Sequence, residues 1–174
     1  MENILKRDEN NKLKTAMQLS IFLSLSIILY IIESFVNFFV FIPGIKLGLS
    51  NIVVLIVIYI YGAKEGFKIG FMKVFFTSLF RSGFGLNFIL SLGGIFLSVL
   101  VSGMLKKTSK FSIVGLSIIS ANFHILGQII IMSIIYRTYI LYVSYLPYMI
   151  LVTIISGTIT GYIAKKIIER VDFN

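Results

Sequence analysis

Lys73, Thr77 and Arg81 follow one another at four-residue intervals in a stretch that is otherwise apolar. Residues four apart lie on one face of a helix, so this spacing predicts a cationic face. Burying a charged group in apolar surroundings costs free energy, so such groups usually face a cavity or a partner group. We interpret this face as the wall of a cavity for an anionic ligand group. Two alternatives stay open for Lys73: it reaches out to a membrane surface, or it forms a structural ion pair with Glu33.

A second polar face lies further along the chain. It carries Ser120, His124 and Gln128, again at four-residue spacing. Hydroxyl, imidazole and amide groups can orient a ligand by hydrogen bonds, but they can equally join two helices. The predicted substrate-binding set is completed by an acid, a cation and amides. These residues are Glu33, Asn37, Lys46, Asn51, Asn87 and Asn122.

Several kinds of chemistry are excluded by composition. The chain has no Cys and a single His, and its only Asp residues are Asp8 and Asp172. Disulfides, thiolate metal sites and cysteine nucleophiles are therefore excluded, and we expect no metal and no cofactor. The phosphate-binding loop G-x-x-x-x-G-K-[ST] does not occur. We predict a chain that is not an enzyme, with any ATPase or prenyltransferase activity belonging to partner subunits.

The elements that position these residues must lie in a membrane. The chain is 57% hydrophobic and 13% charged, with a mean hydropathy of +0.98. A soluble domain of this size carries about 25% charged residues. Disordered chains need low hydrophobicity, so disorder is excluded as well. The composition predicts an all-α integral membrane protein with the lipid bilayer as a partner.

Long runs without charge mark the spans, because a helix needs about 20 apolar residues to cross a bilayer. The runs predict six transmembrane helices, over residues 15–42, 47–63, 65–81, 82–105, 111–136 and 138–164. The first continues past Glu33, and the third is interrupted by Lys68, Lys73 and Arg81. We expect residues 1–14 to be a cytosolic leader, 15–168 a single transmembrane domain and 169–174 a cytosolic tail.

The distribution of basic residues predicts the orientation. With the N-terminus in the cytosol, 12 of the 16 Lys and Arg residues lie inside, 3 lie outside and Lys73 lies in a span. Short cytosolic loops carry such an excess, so both termini are predicted to be cytosolic. This bias accounts for most of the net charge of +9 without any nucleic acid as a partner.

Two sequence runs resemble a known family. They are PGIKLGLSN at 43–51 and SANFHILGQ at 120–128. Together with six spans they resemble the Gx transporter family, also labelled heptaprenyl diphosphate synthase component I. The resemblance implies an architecture similar to the S components of energy-coupling factor (ECF) transporters. In those, six helices hold a small vitamin-like molecule near the outer face, while a transmembrane coupling protein and a pair of ATPases drive release inward.

The resemblance also implies a function and a place. We expect a substrate-binding subunit for uptake of a small, anionic or amphiphilic vitamin-like molecule, in the plasma membrane of a prokaryotic cell. Small residues on the first helix of S components commonly dock the coupling protein. Ala16, Ser20 and Ser24 would fill that role here, and we refer to them as the small-residue stripe.

Two other functions stay open. The enzyme-style label suggests an accessory component of polyprenyl diphosphate or quinone-precursor metabolism. It cannot be the catalytic subunit of a prenyl diphosphate synthase, because such enzymes hold Mg²⁺ with clustered carboxylates and this chain has no paired Asp. The other possibility is a scaffold in a quinone-linked electron-transfer assembly.

Overall fold

The computed structural model describes residues 2–39, 48–108 and 110–171, with side chains at 12–35, 48–81, 83–108, 110–140 and 142–171. Within these ranges the chain forms α-helices joined by short connections, and a π-helical turn, Ser78–Ser82, continues the third helix. The helices are α1 (Glu2–Phe39), α2 (Leu49–Tyr61), α3 (Ala63–Thr77), α4 (Leu86–Lys107), α5 (Ile113–Tyr136), α6 (Ile140–Ser144) and α7 (Leu146–Arg170).

The predicted all-helical membrane class is confirmed for this part of the chain. Four helices are long and apolar enough to cross a membrane: Lys12–Phe35 within α1, and the whole of α4, α5 and α7. The 13 residues of α2 reach only about 20 Å at 1.5 Å per residue, less than the roughly 30 Å of a bilayer core. The count of six transmembrane helices therefore stays a prediction.

Two helix boundaries differ from those expected. The predicted leader is helical from Glu2 and continuous with the first span, since no Gly or Pro interrupts residues 2–39. The predicted last helix, 138–164, is divided into α6 and α7 at Tyr145. Pro147 lies in the first turn of α7, where its missing N–H costs nothing, but it would break a helix running through from α6.

Helix α2 lies at the centre of the bundle. Residues 52–58 are buried on every side, and α2 packs against α1, α3, α4, α5 and α7. Its C-terminal carbonyl groups accept hydrogen bonds from Lys106 of α4, one to Ile58 at 3.0 Å and one to Tyr59. Ile58 O also accepts from the backbone N–H of Gly62 at 3.1 Å, and a cation at this end interacts favourably with the helix dipole.

Glycines let α5 approach its neighbours closely. A Cβ on Gly127 would lie 2.3 Å from the carbonyl oxygen of Gly93 on α4. On α7, a Cβ on Gly157 or Gly161 would lie 2.8 Å from the Cα of Ile118 or Val114, respectively. Small residues permit such close crossings. In lipid, helices associate through van der Waals packing rather than through the hydrophobic effect. These glycines serve internal packing and hold α5 between α4 and α7.

Neighbouring helices run antiparallel. Between α1 and α2, Ser26 Oγ donates to Ser50 O at 3.1 Å and Tyr61 OH donates to Gln18 Oε1 at 2.8 Å. One end of the bundle therefore holds the C-terminal halves of α1, α3 and α5 together with the N-terminal halves of α2, α4 and α7. We call this end, away from Glu2 and Arg170, the distal half.

The predicted orientation can be tested with single cysteines, because the natural chain has none. Tyr139→Cys places a thiol in the exposed α5–α6 connection at the distal end, and Lys110→Cys places one in the α4–α5 connection at the opposite end. We expect a membrane-impermeant maleimide to label Tyr139→Cys in intact cells and Lys110→Cys only after permeabilisation. The reverse pattern would contradict cytosolic termini.

Candidate functional site: a polar cavity in the distal half

A cavity of about 550 Å³ lies in the distal half of the bundle. Its walls come from α1, α2, the π-helical turn, α3, α4, α5 and α7, with Tyr145 ahead of α7. Ligand pockets in proteins have volumes of roughly 300–1,000 Å³, so a small molecule fits this space. Apolar side chains of Ile, Val, Leu and Met alternate with polar ones around the wall.

The structure brings most of the predicted binding residues to this one cavity, from five helices. The lining includes Glu33, Asn51, Lys73, Thr77, Asn87, His124 and Gln128. Ser120, which shares the polar face of α5 with His124, lines it too. The two polar faces predicted on separate helices therefore belong to the same site.

Lys73 is buried, with 4% of its surface exposed. Its Nζ donates to Asn51 Oδ1 of α2 at 2.6 Å. Thr77, one turn later, donates from Oγ1 to the carbonyl of Lys73 at 2.8 Å. Gly70, one turn earlier, lets α3 approach α2 and α4, since a Cβ there would lie 2.8 Å from Ile95. This close packing holds the ammonium group in the cavity wall.

Glu33 binds the start of α2. Its carboxylate accepts a hydrogen bond from the backbone N–H of Gly48, the residue before α2, and Glu33 is itself 96% buried. Gly48 has φ +76°, a left-handed conformation that glycine adopts without strain. A carboxylate is stabilised by the positive end of a helix dipole. The N-terminus of α2 thus stabilises the negative charge of Glu33.

His124 lies against the α4 backbone. A Cβ on Gly94 would lie 2.8 Å from the imidazole ring, so glycine makes the room that the ring occupies. Gln128, one turn later, lies with Nε2 at 3.3 Å from His124 Nε2. These contacts restrict the ring to one orientation at the α4–α5 crossing, with its neighbour Gln128 in the same wall.

Arg81 and Asn122 are not in the cavity wall. The hydrogen bond from Gly83 N to Ser78 O, 2.7 Å, spans five residues, so the four-residue spacing that placed Arg81 beside Thr77 no longer applies. Arg81 is exposed and lies over the ring of Phe35 at 5.5 Å. Asn122 accepts from Thr153 Oγ1 at 2.9 Å and donates to Ile118 O, which places it behind the wall.

Two of the predicted binding residues are not among those whose side chains the structure describes. They are Asn37 and Lys46, and most of the PGIKLGLSN run shares this status. The small-residue stripe is described: Ala16, Ser20 and Ser24 are exposed on α1. The hydroxyls of Ser20 and Ser24 donate to the carbonyls one turn earlier, at 2.9 and 3.0 Å. With these hydroxyls satisfied internally, the stripe presents a shallow apolar surface.

The cavity is also lined by a set of hydroxyl side chains that the sequence analysis did not predict as binding residues. It includes Ser50, Ser98, Ser117, Thr153, Ser156 and Thr160. The α7 members lie three and four residues apart, which is a helical face that could have been read from the sequence. In the sequence they resemble packing residues, because a hydroxyl carries no charge and can hydrogen-bond to a carbonyl of its own helix.

Two tyrosines add phenol groups to the wall, Tyr30 on α1 and Tyr145 ahead of α7. Burial raises the pKa of the Tyr145 phenol, and its neighbour Tyr148 raises it further. Tyr145 therefore stays neutral at physiological pH and can both donate and accept. Among the residues whose side chains are described, no three His, Asp or Glu residues come together to hold a metal.

Comparison with known proteins gives one match. The family model described as heptaprenyl diphosphate synthase component I matches residues 22–167, which is most of the chain and every helix that lines the cavity. No curated protein matches, and no solved structure matches.

The contact between Glu33 and α2 predicts a loss of stability on neutralisation. Glu33→Gln removes the charge at the helix N-terminus, so we expect the free energy of unfolding to fall by about 1–2 kcal/mol. Thermal denaturation in detergent measures the change. Glu65→Gln is the matched control, because Glu65 forms a surface pair with exposed Lys68 and such pairs contribute about 0–1 kcal/mol. Equal effects in the two variants would contradict this role of Glu33.

Proposed function

From the premise that the chain belongs to the heptaprenyl diphosphate synthase component I family, we propose that it is the substrate-binding subunit of an ECF-type uptake transporter. Membership places it among membrane proteins of transporter type. The observation that carries the proposal is the polar cavity, about 550 Å³, inside a bundle of apolar helices. An ionisable side chain in such a bundle costs about 2.5–3.5 kcal/mol, so a ligand-binding role is the natural reason for retaining Lys73 and Glu33 together.

The charges of the wall support an anionic or amphiphilic, vitamin-like substrate. Glu33 is directed at the N-terminus of α2, where the helix dipole compensates its charge. Lys73 donates from Nζ to the amide oxygen of Asn51, which lines the same cavity. Lys73 itself lines the cavity and brings an ammonium group to its wall. An acidic group of the substrate would be attracted there and oriented by the amides, His124 and the hydroxyls.

The position of the cavity supports uptake from outside the cell. It lies in the distal half, which faces outward if both termini are cytosolic in a prokaryotic plasma membrane. Release toward the cytosol would then need a transmembrane coupling protein and ATPase subunits, because this chain has no phosphate-binding loop. The exposed small-residue stripe on α1 is the surface that we assign to the coupling protein.

The description of the family favours a second candidate. It names a component of a prenyl diphosphate synthase, so the chain could be a non-catalytic membrane accessory that presents a polyprenyl or quinone precursor. The cavity would then hold that precursor. In neither case does the chain itself act as an enzyme in our proposal.

Replacing the buried cation tests the binding role. We expect Lys73→Met to weaken substrate binding by roughly 10–100-fold, since it removes a charge-assisted contact worth about 1.5–3 kcal/mol. Native mass spectrometry of protein purified in mild detergent measures the occupancy of the molecule that co-purifies. Lys68→Met, an exposed lysine on the same helix, is the control. Unchanged occupancy in Lys73→Met would remove Lys73 from the site.

Enlarging the small-residue stripe tests the partners. Tagged protein from its native membranes should co-purify with a transmembrane protein and ATPase subunits, and Ser20→Phe should lose them by filling the surface. Thr158→Phe is the matched control, because Thr158 is also exposed and also donates to the carbonyl one turn earlier, at 2.7 Å. Recovery of prenyl synthases or redox enzymes without ATPases would favour the accessory role instead.

A further inference from the structure

The connection from α5 to α7 exposes large apolar side chains outside the spanning helices. Tyr139, Ile140 and Val143 have 81, 62 and 72% of their surface exposed, respectively. Contiguous apolar surface of this kind marks a place where a protein meets a partner or a membrane. The helices on either side, α5 and α7, are long and apolar enough to cross a membrane, so their connection lies at its surface. The bilayer is therefore the nearest apolar phase that can cover these side chains.

Tyrosine is concentrated in the same connection. Five of the nine tyrosines of the chain follow one another there at three-residue intervals: Tyr136, Tyr139, Tyr142, Tyr145 and Tyr148. A phenol has an apolar ring and a polar hydroxyl, so Tyr is enriched where lipid headgroups meet the acyl chains. The 24 residues of α5 extend about 36 Å, slightly more than the roughly 30 Å of a hydrocarbon core. The end of α5 therefore reaches the level of the headgroups.

Arg137 gives this connection a positive charge. It is exposed at the end of α5. Among the acidic residues in the described part of the chain, only Glu33 lies in the distal half, and its carboxylate binds the N–H of Gly48. The described chain therefore supplies no carboxylate to Arg137, and an anion that pairs with it comes from outside.

The backbone of Arg137 indicates that its side chain is retained at a cost. Arg137 has φ 50° and ψ 41°, in the left-handed region, and it is the only described residue other than glycine with a positive φ. Glycine is the usual residue at this position of a helix end, because it has no Cβ to be strained. The chain instead places a guanidinium group here, which is suited to bidentate contacts with phosphate.

We propose that residues 136–148 form an interfacial lipid-binding site, in which Arg137 binds the phosphate of an anionic phospholipid. Ile140 and Val143 would then lie among the upper acyl chains of the leaflet on the distal side, with the phenols at headgroup level. This site is independent of the function proposed for the cavity. It also bears on the cavity, because Tyr145 of the same segment lines it, so the lipid contact would fix the depth of that wall in the membrane.

The depth of the segment can be measured with a nitroxide on a single cysteine, since the natural chain has none. The protein is placed in vesicles of phosphatidylcholine and phosphatidylglycerol. We expect the label at Val143→Cys to be relaxed more by oxygen, which concentrates in lipid, than by a water-soluble nickel complex. Lys110→Cys is the matched control, because Lys110 is exposed in the polar α4–α5 connection, and it should show the reverse.

Two results would overturn the interfacial position. One is a label at Val143→Cys that the nickel complex reaches as readily as the label at Lys110→Cys, which would place the segment in water. The other is a label at Val143→Cys that is hidden from both probes, which would show that a protein covers this surface instead of lipid.

Variants at one position test the phosphate contact. Arg137→Gln removes the charge, so we expect the affinity for phosphatidylglycerol to fall roughly fivefold, with no change for phosphatidylcholine. Native mass spectrometry of protein titrated with each lipid in mild detergent measures both. Arg137→Lys keeps the charge and should keep most of the affinity. An affinity of Arg137→Gln for phosphatidylglycerol equal to that of the natural protein would overturn the phosphate contact.

Arg137→Gly separates the charge from the backbone. It should lose phosphatidylglycerol as Arg137→Gln does. In detergent without lipid it should melt at a higher temperature than Arg137→Gln, because glycine adopts the left-handed conformation without strain. A lower melting temperature than that of Arg137→Gln would contradict the cost assigned to the natural arginine. These results do not depend on which molecule occupies the cavity, so the lipid site and the binding function stand or fall separately.

Discussion

The ends of a short helix buried in an apolar bundle carry backbone groups that must find partners, and in this protein two side chains provide them. Glu33 of α1 binds the N–H at the start of α2, and Lys106 of α4 binds the carbonyls at its end. The first N–H groups and the last carbonyls of a helix lack intrahelical partners, and these side chains add hydrogen bonds there. These contacts allow α2 to be shorter than the bilayer and still lie at the centre of the bundle.

The cavity follows from the short length of α2. Gly48, Ser50 and Asn51 at its first turn are part of the cavity wall, so the helix begins where the cavity is. The surrounding helices continue past this point and enclose the space. Close glycine crossings of α5 with α4 and α7 lie beside the cavity, and Gly94 leaves room for the ring of His124. Tight packing in one part of the bundle thus coexists with an open volume in another.

The polar character of the cavity connects the fold to the proposed binding function. Among the described lining residues, Glu33 binds a helix terminus and Lys73 donates to Asn51, while hydroxyls make up much of the remaining polar wall. A catalytic prenyl transfer site needs carboxylates that hold Mg²⁺ with the diphosphate. The described wall holds one carboxylate, and it is directed at a backbone N–H. This arrangement supports the proposed binding role.

Local patterns in the chain were enough to predict the helical membrane class, the family and much of the cavity lining. Uncharged runs of spanning length and four-residue spacing are properties of a single helix, and this is why Lys73, Thr77, His124 and Gln128 could be placed on inward faces beforehand. The positions of Arg81 and Asn122 could not, because one depends on a π-helical turn and the other on a hydrogen bond to Thr153 of another helix. The burial of α2 depends in the same way on contacts between segments far apart in the chain. Helix geometry is encoded by neighbours in sequence, whereas the choice of which polar groups face the cavity arises only when the helices pack together.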